Sequence, residues 1–454
     1  MSLLTPLLRA GALTHLFSDE QVVQGMLEFE AALARAQARC GVIPTSAVEP
    51  IVNACQFHNI DFPALAEAAA NAGNLAIPLV KQLTQVVKAQ DAEAARYVHW
   101  GATSQDAIDT GLVLQLRAAL TQTDRDLAAL TAILAQQVER YRTTIMPGRT
   151  WMQHALPITF GLKLAGTLDA LLRWQERLTQ LRSRVLVLQL GGAAGTLASL
   201  KAAGPQVGDA LAQTLDLALA DTPWHSQRDR LLEVGAWYAG LCGTLAKFAN
   251  DFSLLMQTEV AEVSEPIAEG RGGSSAMPHK RNPVSCAAIL TAAQRTPGLM
   301  ATLYASQIQQ HERALGGWQA EWEVLPELIS LAGGVIAQSE YLLRGMQVNA
   351  AKMRADLAIT HGLIMAEAVT LALAEFIGKA DAHHLVEQHC HQAIDQDRAL
   401  IELLQNDPRI NQHLSASTLA QLLDPATALG SSDHFVRQVL ARYKEQCHEP
   451  SLSN

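Results

Sequence analysis

No proline stands between Pro78 and Pro147, and this gap constrains the fold more than any other feature. Inside it Leu112, Leu116, Leu120, Leu127, Leu130, Leu134 and Val138 recur at helical spacing. That stripe predicts a helix of roughly 30 residues, about 45 Å long. Further long helical stretches are read over Ile158–Leu190, Pro223–Ser264, Ser285–Arg295 and Gly298–Leu325, while alternating β-branched runs are almost absent. The expected fold is therefore all-α, with central helices longer than usual. Hydrophobic residues make up 49% of the 454 and charged residues 17%, and the mean hydropathy is +0.08. A long apolar chain with so modest a charged surface is expected to hide some of it between copies of itself.

Shorter elements flank these helices. Ser18 followed by Gln21 reads as a capping box, and Val22, Met26, Phe29, Leu33 and Ala36 continue at helical spacing until Gly41 and Pro44. A second apolar helix is expected over Phe62–Ala72. Gly191–Thr196 is glycine-rich but lacks the Gly-Lys-Ser/Thr ending of a phosphate loop, so it reads as a tight connection between helices. Beyond Lys352 the helices shorten, with breaks near Gly362, Gly378 and Pro408. The organisation is read as an N-terminal helical domain over 1–108, a central long-helix domain over 109–351 and a small helical domain over 352–454.

The formal net charge of −10 argues against a nucleic-acid partner. It also means that an anionic substrate would need a local basic cluster. Cys40, Cys55, Cys242, Cys286, Cys390 and Cys447 lack metal or disulfide spacing, which fits reduced thiols in the cytoplasm. Met1 to His15 has no clean apolar core, so no signal peptide is expected. No run of about 18 apolar residues occurs, and no membrane span is expected.

The basic cluster lies in Gly272–Pro283, which reads Gly-Gly-Ser-Ser-Ala-Met-Pro-His-Lys-Arg-Asn-Pro. Glycines give mobility, prolines fix the bends, and hydroxyl and cationic groups crowd one span, as suits a loop closing over an anion. A basic surface turn would explain a few of these residues but hardly all twelve. The stretch closely resembles the signature loop of the fumarase/aspartase superfamily, Gly-Ser-Ser-x-Met-Pro-x-Lys-x-Asn-Pro, and Gly273–Pro283 carries every fixed position. The resemblance implies homotetramers built round a multi-helix bundle. It also implies a reaction that eliminates a group β to a carboxylate, or adds one, without metal or other cofactor. By position Ser274 matches the serine that removes the α-carbon proton, with Ser275 as fallback. Lys280 and Asn282 match the residues that bind the carboxylate and its developing charge, and Met277 lies among them. Lys280 is also the nearest candidate to activate the serine.

Two further stretches support the resemblance. His99-Trp100-Gly101-Ala102-Thr103-Ser104-Gln105-Asp106 resembles the superfamily region whose Thr-Ser pair holds a substrate carboxylate, which implies binding roles for His99, Thr103 and Ser104. Capping of the following helix by Thr103 or Ser104 is compatible with that role. Gly148–Ala155 resembles the region that carries the catalytic histidine of the adenylosuccinate lyase branch. His154 corresponds to that histidine, with Gln153 beside it, although Trp151 stands where those lyases have histidine. Gln227 and Arg228, in Ser226–Asp229, resemble substrate contacts, and Arg313 lies where an arginine often meets a distal anionic group. His383, His384, His389 and His391 raise the question of a metal, but a polar surface helix explains them and no metal is expected.

Two departures from the adenylosuccinate lyases point elsewhere within the superfamily. Ala72–Pro78 replaces their Arg-His-Asp segment, and Ala287 replaces the glutamate that partners their histidine. Expelling an amine needs a strong proton donor, whereas a carboxylate, whose conjugate acid has a pKa of about 4, leaves unaided. The resemblance implies a superfamily member in which a carboxylate is nucleophile one way and leaving group the other, a lactonising cycloisomerase acting on a small polycarboxylate, with adenylosuccinate lyase as the alternative. A non-catalytic, crystallin-like helical protein is the alternative of another class, and Ser274, His154 and Lys280 argue against it. The expected assembly is a homotetramer whose sites are shared between subunits.

Overall fold

The proline-free span folds as predicted. In the computed structural model, which describes residues 3–448 apart from the side chains of Cys447 and His448, a helix runs over Ser104–Arg140. Leu116, Leu120, Leu127, Leu130, Leu134 and Val138 on its stripe are fully buried. Four more long helices follow, Phe160–Val185, Asp229–Leu255, Val284–Ala305 and Gly317–Gly345. Helices dominate the fold, and the all-α expectation holds. The Cys447 thiol lies outside the described residues.

Contacts gather the chain into two compact units. One comprises Met1–Ala128, Arg173–Ala246 and Ala288–Gln338, and the other Ala129–Leu172, Lys247–Ala287 and Ser339–Asn454. In the first unit the Asp19–Arg39 helix buries Met26, Phe29, Leu33 and Ala36. It crosses the Ser104 helix at a pair of glycines, where a Cβ on Gly25 would lie 2.9 Å from the carbonyl oxygen of Gly111. The predicted capping box at its start is not formed. Ser18 occupies the N-cap position with extended backbone, but its hydroxyl makes no capping bond, and Asp19 and Glu20 meet the helix dipole instead. The second apolar helix covers Phe62–Ala72 as expected, capped by Asp61 and ended by Gly73 in the left-handed conformation.

The second unit corrects the reading of its first segment. Ile145–Thr150 and Gln153–Thr159 form an antiparallel hairpin, and the helix read from Ile158 begins only at Phe160. Pro147 pairs opposite Pro157, which a two-stranded ribbon tolerates because both strands are edges. Its two-residue tip is Trp151–Met152, both with positive φ, where Asn-Gly is the usual pair. Toward the C-terminus, short helices over Ala366–Ile377 and Lys379–Gln396 enclose a separate core of Val369, Leu373, Leu385, Val386, Leu400, Leu404 and Ile410. Breaks fall at Gly362, Gly378 and Pro408, as read from the sequence. His389, one of the clustered histidines, is buried there against Asp407 at 2.8 Å.

Candidate active site

Asp106 organises the predicted groups of the first unit. It stands at the third position of the Ser104 helix and turns Oδ2 back to accept the Thr103 N–H at 3.0 Å. This is the acidic half of a capping box. The same carboxylate accepts the N–H groups of Gly191 and Gly192, each at 2.9 Å, and the His225 ring approaches Oδ1 at 2.7 Å. The glycine-rich connection thus wraps a carboxylate of its own chain. A Cβ on Gly191 would lie 2.7 Å from His225 Cε1, so a side chain there would dislodge the ring.

One turn further on, Asp109 meets Arg228. The Arg228 Nη1 and Nη2 donate to Asp109 at 2.6 and 2.9 Å, while Nε and Nη2 donate to Glu321 at 2.7–3.1 Å. The Trp318 indole donates to Asp109 as well. Burial pushes the Glu321 carboxyl above its ordinary pKa against the pull of Arg228. The expectation that Arg228 touches substrate is corrected here. The guanidinium has no exposed surface and is committed to two carboxylates. Arg313 is similarly engaged, donating to Gln105 at 3.1 Å and to the carbonyls of Ala193 and Gly192 at 2.9 and 3.4 Å.

What remains open in this unit is a set of donors. The Thr103 and Ser104 hydroxyls are half-buried and make no hydrogen bond among the described residues, where the exposed Gln227 amide is likewise unengaged. His99 sits in the left-handed region at φ 56°, with Nδ1 2.5 Å from the buried Glu30 carboxylate. Burial alone would depress its pKa, but Glu30, aided by Asp106, outweighs burial and raises it.

The second unit carries the signature loop. Its base is clamped from both sides. The Asn282 N–H donates to Gly272 at 2.8 Å, and the Asn282 amide reaches Gly273 at 3.3 Å. Arg271, just before the loop, lies over the Tyr341 ring and donates to the Ser285 hydroxyl at 2.7 Å. Glu265 caps the following helix by accepting the N–H groups of Ser285 and Cys286 at 3.0 and 2.9 Å. Above this base Ser275, Met277 and Lys280 are exposed, and the Lys280 ammonium has no partner among the described residues. The Ser274 oxygen accepts the N–H groups of Met277 at 3.1 Å and Ala276 at 3.4 Å. Two amide dipoles aimed at one oxygen favour its anionic form. The sequence offered Lys280 as the activating group and gave no sign of these amides.

On the hairpin, Gln153 is exposed and His154 half-buried, with Nδ1 enclosed and unpartnered. Burial, then the Arg149 charge across the strand pair, lowers the His154 pKa, while Asp356 opposes them. Behind the hairpin Arg149 holds Glu262 in a two-pronged pair at 3.0 and 2.7 Å, and Lys352 pairs with Asp356. No hydrogen bond or ion pair joins His154 to Ser274 or Lys280. Sequence reading passed over Glu30, Asp109, His225 and Glu262, whose partners lie far along the chain, and Asp356, which pairs with Lys352 one turn before it. Asp106 closed a motif that was already in view.

The Arg228 cluster yields a stability prediction. Arg228→Met should cost about 3–5 kcal/mol, because it leaves two buried carboxylates without their cation. Gln227→Ala, one residue away on the surface, should change stability by no more than about 0.5 kcal/mol. Chemical denaturation of both variants checks this, and an Arg228→Met protein as stable as the wild type contradicts it.

Comparison with known proteins places these features in context. Residues 8–298 match the family described as Lyase, and residues 362–439 match the adenylosuccinate lyase C-terminus. The chain is 55% identical to a 3-carboxy-cis,cis-muconate cycloisomerase of Pseudomonas aeruginosa, over 97% of this chain and 96% of that protein. It is 51% identical to one from Bradyrhizobium diazoefficiens, over 96% and 97% respectively. The solved 3-carboxy-cis,cis-muconate lactonizing enzyme of Pseudomonas putida superposes with a TM-score of 0.93 at 49% identity, covering 98% of this chain and 99% of that one. The full-length match and the signature loop agree, and the chain belongs to the lyase family of the fumarase/aspartase superfamily.

Proposed function

We propose that the protein is a cycloisomerase interconverting 3-carboxy-cis,cis-muconate and its carboxymuconolactone, in the breakdown of protocatechuate. The observation that carries this reading is the 55% identity to a cycloisomerase of that name along nearly the whole chain. In the lactonising direction a substrate carboxylate oxygen bonds to the β-carbon, and the π pair moves toward the neighbouring carboxyl group. The resulting enediolate takes a proton at the α-carbon from the Ser274 hydroxyl. In reverse, the Ser274 oxygen removes that proton and the carboxylate leaves. The amides of Ala276 and Met277 support the serine anion. Lys280, Asn282, Thr103, Ser104, His99 and Gln227 are proposed to bind the carboxylates, with Gln153, Ser275, Met277 and Arg313 shaping the site. His154, its pKa lowered, serves as a neutral hydrogen-bonding group. A leaving carboxylate needs no stronger acid than that, and Ala287 offers none.

We further propose a cytoplasmic location, supported by the free thiols of Cys40, Cys55, Cys242, Cys286 and Cys390. Among the described residues no helix is long and apolar enough to cross a membrane. The reaction calls for no cofactor.

The test is direct. Incubated with 3-carboxymuconate the protein should consume its ultraviolet absorption, while adenylosuccinate should be left unchanged. Ser274→Ala should lower kcat by at least about 100-fold without unfolding, as loss of a proton-transfer group does. Turnover of adenylosuccinate alone would transfer the assignment to the other branch.

Assembly as a homotetramer is part of the proposal. Ala287, Thr291, Gln294, Gly298 and Ala301 form an exposed row on the Val284–Ala305 helix, at the alternating four- and three-residue spacing of helices that pack on helices. Sites are then built from more than one subunit. Mixing inactive Ser274→Ala oligomers with oligomers impaired by loss of the whole His154 ring (His154→Ala), with dissociation and reassociation, should raise activity above that of either parent. Confirmed subunit exchange without recovery contradicts shared sites for this pair.

A further inference from the structure

We infer that Glu30 is a positioning residue for substrate binding: it fixes the His99 ring through Nδ1 and leaves Nε2 to meet a substrate carboxylate beside Thr103 and Ser104. The inference rests on the substrate-binding role proposed above for His99. Glu30 lies in the middle of the Asp19–Arg39 helix, 2% exposed, between the buried Phe29 and Ala31. A carboxylate at such a position is costly unless it is paired. Among the described residues no arginine or lysine pairs with it. Its Oε1 is 2.5 Å from His99, and its Oε2 is buried without a partner.

The same helix face grips the His99 turn a second time. Gln37, two turns beyond Glu30, donates its amide to the Trp100 carbonyl at 2.5 Å. At the next residue, Gly101 has φ 73°, and a Cβ there would lie 2.6 Å from Leu200. The turn is thereby held with His99 in a left-handed conformation that few non-glycine residues adopt. With Nδ1 taken, Nε2 is the only ring nitrogen left, and the side chain keeps 16% of its surface exposed.

The charges around His99 favour a cationic ring. Glu30 faces it from the Asp19 helix, and Asp106 acts on it from the Ser104 helix. Asp106 is itself occupied by Thr103, Gly191, Gly192 and His225. On the loop before His99, Glu93 and Arg96 pair with each other at the surface. Lys201, on the 198–203 turn that packs Leu200 against Gly101, is exposed. Glu30 is thus the carboxylate in hydrogen-bonding contact with the ring.

The decisive experiment compares Glu30→Gln with the wild-type oligomer by mass-spectrometric exchange of the histidine Cε1 hydrogens, which titrates each histidine separately. In the wild type the His99 midpoint should lie above the ordinary value of about 6.5. In Glu30→Gln it should fall by at least about one pH unit, as loss of a contacting carboxylate allows, while His389, paired elsewhere with Asp407, keeps its midpoint. With carboxymuconate at pH 8, KM should rise about tenfold and kcat should change by less than about threefold, as removal of a binding cation predicts. Glu30→Asp, which keeps the charge but shortens its reach, should give intermediate values and serves if Glu30→Gln does not fold. An unshifted His99 midpoint in either variant overturns the inference, and so does a loss confined to kcat. A wild-type protein that leaves carboxymuconate untouched sinks the proposed reaction, while the exchange midpoints still decide the Glu30–His99 link.

Discussion

Four hydrogen bonds converge on the Asp106 carboxylate, and one face of the candidate site depends on them. They join the start of the Ser104 helix, the glycine-rich connection at Gly191–Gly192 and the His225 segment. A buried carboxylate is stable only if its oxygens are so satisfied. The requirement works in both directions. The acid needs the amides, and the amides have no other acceptor among the described residues, so the backbone around Thr103 and Ser104 is fixed while both hydroxyls stay unengaged.

Asp109 and Arg228 extend the same logic inward. Arg228 balances two buried acids, and its burial explains why an arginine in a recognisable motif does not reach a ligand. The signature loop follows the opposite design. Its base is clamped by Asn282, Arg271 and Glu265, and its tip is exposed. The Ser274 oxygen is held by local backbone. The turn that brings the amides of Ala276 and Met277 to the Ser274 oxygen is made of consecutive residues, so it can move as one piece.

Most long helices were legible because apolar periodicity survives wherever packing is continuous, as from Leu116 to Val138. The break read at 296–297 is absent, since Pro297 lies inside the Val284–Ala305 helix, and the stretch read over Gly298–Leu325 is interrupted before Gly317. The signature loop was legible because its chemistry is contiguous in sequence. The hairpin that carries His154 was not. Its prolines argue against strands, and its tip places Trp151 and Met152, with Trp151 95% exposed, in a conformation that usually selects glycine or asparagine. The charge pairs were hidden for a different reason. His99 and Glu30 are 69 positions apart and Arg228 and Glu321 are 93 apart, and no local pattern encodes such a meeting. A motif therefore identified Arg228 as notable without showing which way it faces.

The dependence of the site on Asp106 can be measured by amide hydrogen exchange in Asp106→Asn, with the oligomer otherwise intact. An asparagine offers a single accepting oxygen and presents an NH₂ group where an oxygen stood. The account predicts much faster exchange at Gly191, Gly192 and Thr103, with amides inside the Phe160–Val185 helix unaffected. If those three amides stay as protected as in the wild type, Asp106 is not what holds this face of the site together.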